Sequence, residues 1–394
     1  MLSDRLPALS SALLFLLLYQ MCVLLGATQL QGSAIGTLLV LITAFTSFES
    51  YKQVWRATWP AWLLIVGVLV GNLGISELVS KSAKGGYDAL RALLLFFVAA
   101  SIVCRADPDK TLPLARHFFV AMSALILVSY IVIAVAHGAF SLRDNPILAQ
   151  QLSGIHEYAS VIAAVMLGLI SLWVADRKAF SSLHKLCLLV LGFILAMSDS
   201  LGAYLALSMC ALFMLQRFFP RTRILWWLGT SSILVAFIYI AYIHVGSEIF
   251  GLQIPHSFVE RKELFEETYG AIRNAPWFGY GLNTYKFVGA ELGWRAKYIM
   301  PHNIYLELVF SVGLIGSVLL LLGFVTLYRA AKPLQSTEPF NNFWLLLAQL
   351  LIIYLAFRGL TELRLGFKTW GLLAVSLGVI MGVKCRASAA HQPC

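Results

Sequence analysis

Long apolar runs dominate this chain, and their lengths decide its fold class before any single residue does. A helix that crosses a bilayer needs about 20 mostly apolar residues. Twelve stretches meet that requirement, near 8–27, 33–49, 59–79, 88–104, 113–136, 156–175, 183–198, 201–216, 224–246, 303–328, 341–358 and 368–384. The shortest connections fall at Gly32 and at Ser198 to Gly202. The pattern predicts an all-α, polytopic membrane protein of about twelve transmembrane helices. No internal repeat or low-complexity segment interrupts it. The first 28 residues begin like a signal peptide but lack a small-x-small cleavage site, so they are read as a retained first helix.

The polar positions between the runs set the expected topology. Alternate connections carry Lys52 and Arg56; Arg105, Lys110 and Arg116; Arg177, Lys178 and Lys185; Arg217, Arg221 and Arg223; Arg329 and Lys332; and Lys384 and Arg386. The other short connections are poorer in Lys and Arg. Basic short loops stay on the cytoplasmic side, so both termini are expected in the cytoplasm. Residues 246–301 then form one large loop on the opposite side. The chain divides into helices 1–9 over 1–245, the loop over 246–301, and helices 10–12 with a short cytoplasmic tail over 302–394.

The large loop has its own pattern. Phe258, Phe265, Tyr269 and Ile272 recur at near-helical spacing among Glu260, Arg261, Lys262, Glu263, Glu266, Glu267 and Arg273. Such a segment reads as an amphipathic helix lying against the membrane or the bundle, or as an ordinary surface helix. Asn274-Ala275-Pro276 ends it. Gly279-Tyr280-Gly281 then offers a turn whose backbone can approach a ligand closely, or an ordinary turn. The loop is expected to contain short helices.

Composition sharpens this picture. Hydrophobic residues make up 60% of the 394, charged residues 12%, and the mean hydropathy is +0.81. Soluble domains are about a quarter charged, so lipid is the solvent here. The net charge of +10 is spread over topology-setting loops and forms no run of the kind that tracks a phosphate backbone. Nucleic acid is not an expected partner. The six cysteines avoid the large loop and form no CxxC pair. A disulfide framework or a zinc site is not expected. No HExxH, DxD, Walker or dinucleotide-binding pattern occurs, so neither a metal nor a nucleotide cofactor is expected.

His302 is the first candidate for chemistry. It lies where the loop enters a long apolar run, in Pro301-His302-Asn303-Ile304-Tyr305-Leu306-Glu307. Pro301 favours a helix start. The first turn of a helix offers free N–H groups that attract phosphate oxygens and disfavour an imidazolium. A neutral imidazole there suits a general base; capping or snorkelling is the plainer alternative. The second group is the arginines expected on the same side: Arg91, Arg143, Arg261, Arg273, Arg295, Arg358 and Arg364. Guanidinium binds phosphate bidentately. Arg358 and Glu362 stand about one helical turn apart, so an ion pair is the plainer reading for them. Gly313, Gly316 and Gly323 suit close helix packing. His156-Glu157 does not suit a metal pair, because adjacent residues on a helix do not face one site.

Taken together, Arg261-Lys-Glu-Leu-Phe265, Ala275-Pro-Trp-Phe-Gly-Tyr-Gly-Leu282, Pro301-His-Asn-Ile-Tyr-Leu306 and Gly313-Leu-Ile-Gly316 resemble the O-antigen ligase and O-antigen polymerase superfamily. The motifs cover roughly 255–325, and the helix count extends the likeness over the chain. The resemblance implies a metal-independent glycosyltransferase of the bacterial inner membrane with a large periplasmic loop. It implies an undecaprenyl-diphosphate-linked glycan donor and, for a ligase, the lipid A–core as acceptor. A polymerase would extend another glycan. A lipid-linked glycan transporter is the rival from another class. His302 matches the family's functional histidine and Arg261 a functional loop arginine. Arg143, Arg91, Arg358, Asn303, Gly279 and Gly281 are expected around the substrate. One departure stands out. Family members often carry an arginine at the outer end of a middle helix, where this chain has Leu201 in Ala196-Met-Ser-Asp-Ser-Leu-Gly-Ala-Tyr-Leu205. Arg143, Arg91 and Arg358 are the candidates to replace it.

Overall fold

The computed structural model describes residues 48–80, 84–138, 155–198, 200–219, 228–229, 231–232, 256–294, 301–330, 338–360 and 367–390. Eleven helices are described: α1 Phe48–Ser80, α2 Lys84–Arg105, α3 Pro108–His137, α4 Ile155–Ala175, α5 Ser182–Met197, α6 Leu201–Phe218, α7 His256–Asn274, α8 Tyr285–Glu291, α9 Ile304–Ala330, α10 Pro339–Arg358 and α11 Phe367–Ala390. Seven of them are long and apolar enough to cross a membrane, and α5 and α6 are shorter apolar helices. These nine coincide with nine of the twelve expected spans. The spans near 8–27, 33–49 and 224–246 lie, apart from a few residues, outside the described segments.

Side-chain size explains how the helices pack. Helices in lipid gain little from burying apolar surface, so close backbone approach decides the contact. The most extensive described contact joins α2 and α11. Gly378 faces the Phe96 carbonyl and Ala99, and Gly382 sits 2.6 Å, measured from an added Cβ, from the Ala100 carbonyl. On the other side α9 lies along α1, with Gly323 against Ile65 and Gly316 near Val68. The packing reading of Gly316 and Gly323 therefore holds. Helix α10 is apolar nearly all round and is buried among α4, α6 and α11, as such a helix must be.

The described contacts fix the direction of each helix. Helix α1 runs antiparallel to α9, pairing Ile65 with Gly323 and Asn72 with Ser311. Helices α2 and α11 run parallel. Helix α6 is antiparallel to α10, through Arg217 with Asn342 and Cys210 with Leu350. One end of the bundle collects basic residues and their partners: Arg116 bonds Asp176 at 2.6 Å, Arg386 approaches Glu338 at 3.7 Å, and Lys384 donates to the Ala330 carbonyl. The opposite end carries the C-terminus of α5, the start of α6, the C-terminus of α10 and the start of α9. Helices α7 and α8 cap that end. Leu264, Ala271, Ile272, Tyr285, Val288 and Phe310 form a second, smaller core there.

The amphipathic reading of α7 needs one correction. Its buried stripe is Leu264, Thr268, Ala271 and Ile272, whereas Tyr269 is exposed. Thr268 belongs to the inner face because its hydroxyl is satisfied, bonding the Leu264 carbonyl at 2.6 Å and the Tyr285 hydroxyl at 2.5 Å.

Gly378→Val drives a branched side chain into the α2 backbone. It is expected to cost roughly 1–3 kcal/mol through overpacking, read as a lower thermal midpoint in detergent. Gly67→Ala, where nothing lies within 4 Å of the added methyl, should leave the midpoint unchanged.

Candidate functional site

The site is organised by a break in α9. Gly313 has φ 67° and ψ −178° inside the helix. In an unbroken helix the Leu314 and Ile315 N–H groups would bond the carbonyls of Phe310 and Ser311. Here Leu314 N–H donates to the Pro276 carbonyl at 2.8 Å, and Ile315 N–H to Trp277 at 3.2 Å. The two freed carbonyls accept from the same turn: Tyr280 N–H bonds Phe310 at 2.9 Å and Gly281 N–H bonds Ser311 at 2.8 Å. The Ala275–Thr284 turn thus replaces one turn of helix hydrogen bonding.

This exchange requires glycine on both sides. A Cβ on Gly279 would lie 2.5 Å from the Phe310 carbonyl oxygen, and one on Gly313 would strike the Trp277 carbonyl. Both residues also have φ in the left-handed region. Gly281, at φ 99°, lies against Ser76 of α1. The close approach expected of Gly279 and Gly281 is therefore real, but it is to α9 and α1. Gly313 is a helix break as well as a packing position.

Helix α1 ties the junction together. Asn72, buried in an apolar helix, donates from Nδ2 to the Ser311 carbonyl at 2.9 Å. Its Oδ1 accepts from the Leu282 N–H at 2.8 Å. Sequence reasoning missed Asn72 and Ser76. The available signal was an amide side chain within an otherwise apolar run.

The start of α9 differs from expectation in a way that changes the chemistry. Helix α9 begins at Ile304, with Asn303 as its cap. Asn303 Oδ1 accepts from the N–H groups of Tyr305 and Leu306, both at 3.0 Å. Ile304 N–H donates to the Gly359 carbonyl at 2.8 Å, and Glu307 N–H to the Asn303 carbonyl at 3.0 Å. All four amides of the first turn are occupied, so they form no phosphate cradle. Asn303 is a structural cap that also donates to the Leu360 carbonyl.

His302 lies just ahead of the cap, at φ 52° and only partly exposed. Three further residues belong to the same junction of α9 and α10, where the Ile304 N–H bonds the Gly359 carbonyl. Glu307 is buried on the first turn of α9, Arg358 is 1% exposed at the end of α10, and Tyr305 donates to the Ala356 carbonyl at 2.7 Å. Glu307 belongs to the motif around His302, and nothing in the sequence alone distinguishes it as buried. Cys210 of α6 bonds the Leu350 carbonyl at 3.4 Å, and the helices are antiparallel. Eight residues from each toward the shared end reach Gly202 and Arg358, so Arg358 stands level with the start of α6.

The remaining candidates are placed less fully. Arg261 lies on α7, three residues before the buried Leu264, and Arg91 lies on α2; their side chains are outside the described set. Arg143, Arg295, Glu362 and Arg364 lie outside the described residues.

Residues 186–321 match the family model described as O-antigen ligase. The match covers about a third of the chain, from α5 through the cap to the middle of α9. It supports the resemblance to the O-antigen ligase superfamily read from the motifs. The chain has no significant match among curated proteins.

Two predictions follow from this geometry. Asn72→Ala leaves the Leu282 N–H without its acceptor and should cost about 1–3 kcal/mol. It should also raise protease sensitivity at the turn, while Gly71→Ala, with open space around it, should do neither. Burial raises the Tyr285 phenol above its ordinary range, with Glu267 and Glu307 adding to the shift. The unfolded chain then ionises first as pH rises. The cap's stability should be level below pH about 10 and fall above it, followed by thermal unfolding alongside tyrosinate absorbance.

Proposed function

We propose that this chain is an O-antigen ligase: it moves a glycan from undecaprenyl diphosphate to the lipid A–core, at the capped end of the bundle. The observation that carries the reading is the placement of His302, Glu307 and Arg358 at one helix junction, set by the Ile304 N–H to Gly359 carbonyl bond, within and beside the stretch that matches the family. The basic end of the bundle then faces the cytoplasm of a bacterial inner membrane, with the cap in the periplasm over residues 246–301.

In the proposed reaction the acceptor hydroxyl oxygen bonds the anomeric carbon of the donor glycan. The bond from that carbon to the diphosphate oxygen breaks, and undecaprenyl diphosphate leaves. Its charge is already spread over two phosphates, so the leaving group needs no paired carboxylates of the hydrolase kind. His302 accepts the hydroxyl proton. Its place within the stretch that matches the family model supports this role. Arg358 takes the part that Leu201 cannot. A guanidinium at the end of a membrane helix is costly and is retained for pairing or function, and it can offset charge developing on the diphosphate. Arg261, on the cap, helps to hold the diphosphate and to offset charge on the leaving group. Arg91 and Arg143 are secondary diphosphate contacts.

His302→Asn is the test variant, because Asn tolerates the left-handed backbone and lacks a comparable base. Transfer by the purified protein in lipid nanodiscs should fall about 10²–10⁴-fold with little change in thermal midpoint. Wild-type transfer by this variant would reject the base role. Separate feeding of lipid A–core and of free glycan acceptor decides the acceptor. Extension of the donor glycan alone, with no core product, would make the chain a polymerase.

A further inference from the structure

The turn seated in the α9 break lies at a depth that sequence topology does not give it. Helix α9 has 27 residues, which is about 40 Å at 1.5 Å per residue, longer than the ~30 Å apolar slab of a bilayer. Arg329 marks its basic end. Counting back about 20 residues reaches the region of residue 309, which leaves Gly313 to Ile315 about 6–9 Å inside the slab. Helix α1 gives an independent measure. Lys52 and Arg56 lie with the exposed Trp55 and Trp59 at its basic end, a belt typical of the interface. About 20 residues on stands the exposed Glu77. Asn72, which holds the turn, falls about 7.5 Å below that level. The two helices agree.

Irregular backbone is tolerated at such a depth where protein satisfies its polar groups or where it lines a water-filled cavity. Here the N–H groups of Gly279, Tyr280, Gly281 and Leu282 all donate within the chain, the last to Asn72. The carbonyls of Pro276, Trp277, Gly281 and Leu282 all accept. The Trp277 and Phe278 side chains face outward, whereas Tyr280 and Leu282 pack inward. Trp277 and Phe278 are 60% and 63% exposed. They continue the exposed apolar stripe of α9 formed by Leu314, Ile315, Val318, Leu321 and Leu322. Eight backbone groups of the turn bond within the protein while two large aromatic side chains face outward, an arrangement that an apolar environment favours.

We propose that residues 276–282 form a re-entrant turn whose Trp277 and Phe278 side chains contact the acyl chains of the bilayer. The partner is the membrane lipid itself, and the surface continues the lipid-facing stripe of α9. The turn anchors the cap to the membrane, so that the α7–α8 layer and the α9 start are held at a fixed height. This inference stands on depth and hydrogen bonding and does not depend on which reaction the site performs.

The test uses the full chain in phosphatidylethanolamine and phosphatidylglycerol nanodiscs, with Phe278→p-benzoylphenylalanine, whose ketone inserts into nearby C–H bonds on illumination. Mass spectrometry counts phospholipid adducts. Val318 carries the same probe as the lipid-facing reference and Lys286, exposed on α8, as the cap reference. Adduct yield at 278 should be within about twofold of that at 318 and at least ~tenfold above that at 286, as residence among acyl chains requires. The probe at Trp277 should give the same pattern. A yield at both turn positions no higher than at 286, or crosslinks to the chain in place of lipid, would overturn the proposal.

Discussion

The structure depends on one exchange of hydrogen bonds inside a membrane helix. Gly313 breaks α9, and the break would leave two amides and two carbonyls unpaired in an apolar setting. Unpaired groups there cost several kcal/mol each. The turn from Ala275 to Thr284 supplies partners for all four. Neither element is sound alone. The helix needs the turn's carbonyls and amides, and the turn needs the helix to hold its positive-φ glycines in place. Asn72 adds the third side, joining both to α1 through one side-chain amide.

That exchange positions everything around it. Tyr280 stacks on Phe310 with ring centroids 5.0 Å apart, and Tyr285 packs edge-on against the same ring. The cap is thereby fixed to the first turns of α9. Those turns are fixed in turn to α10, because Ile304 N–H bonds the Gly359 carbonyl. His302 and Arg358 are each within two residues of that single bond. A site built where two helix ends share a hydrogen bond has little freedom to drift, which suits a reaction that rests on orientation.

Much of this was legible in the sequence, for physical reasons that can be named. Apolar runs of membrane length predicted α1 to α6 and α9 to α11 because lipid imposes one helix length. The loop's short helices were legible from periodicity, though the inner stripe was not, since Thr268 looks polar until its two hydrogen-bond partners are known. Gly279, Gly281 and Gly313 were visible as special positions. Their mutual contact was not, because nothing local pairs residue 277 with residue 315. The expected phosphate cradle at the start of α9 failed for a related reason. Asn303 and Gly359 occupy the amides, and the second of these comes from a helix more than 50 residues away. Among the described residues, Arg358 stands level with the start of α6, through a register that the α6–α10 contact reveals.

The central claim is that the turn is an integral part of α9, and amide hydrogen exchange in lipid nanodiscs tests it most directly. Exchange reports the free energy of local opening. The account predicts that the amides of Gly279 to Leu282 exchange as slowly as those in the first turns of α9. Exchange of these four amides at the rate of a solvated loop, with the α9 amides still protected, would contradict it.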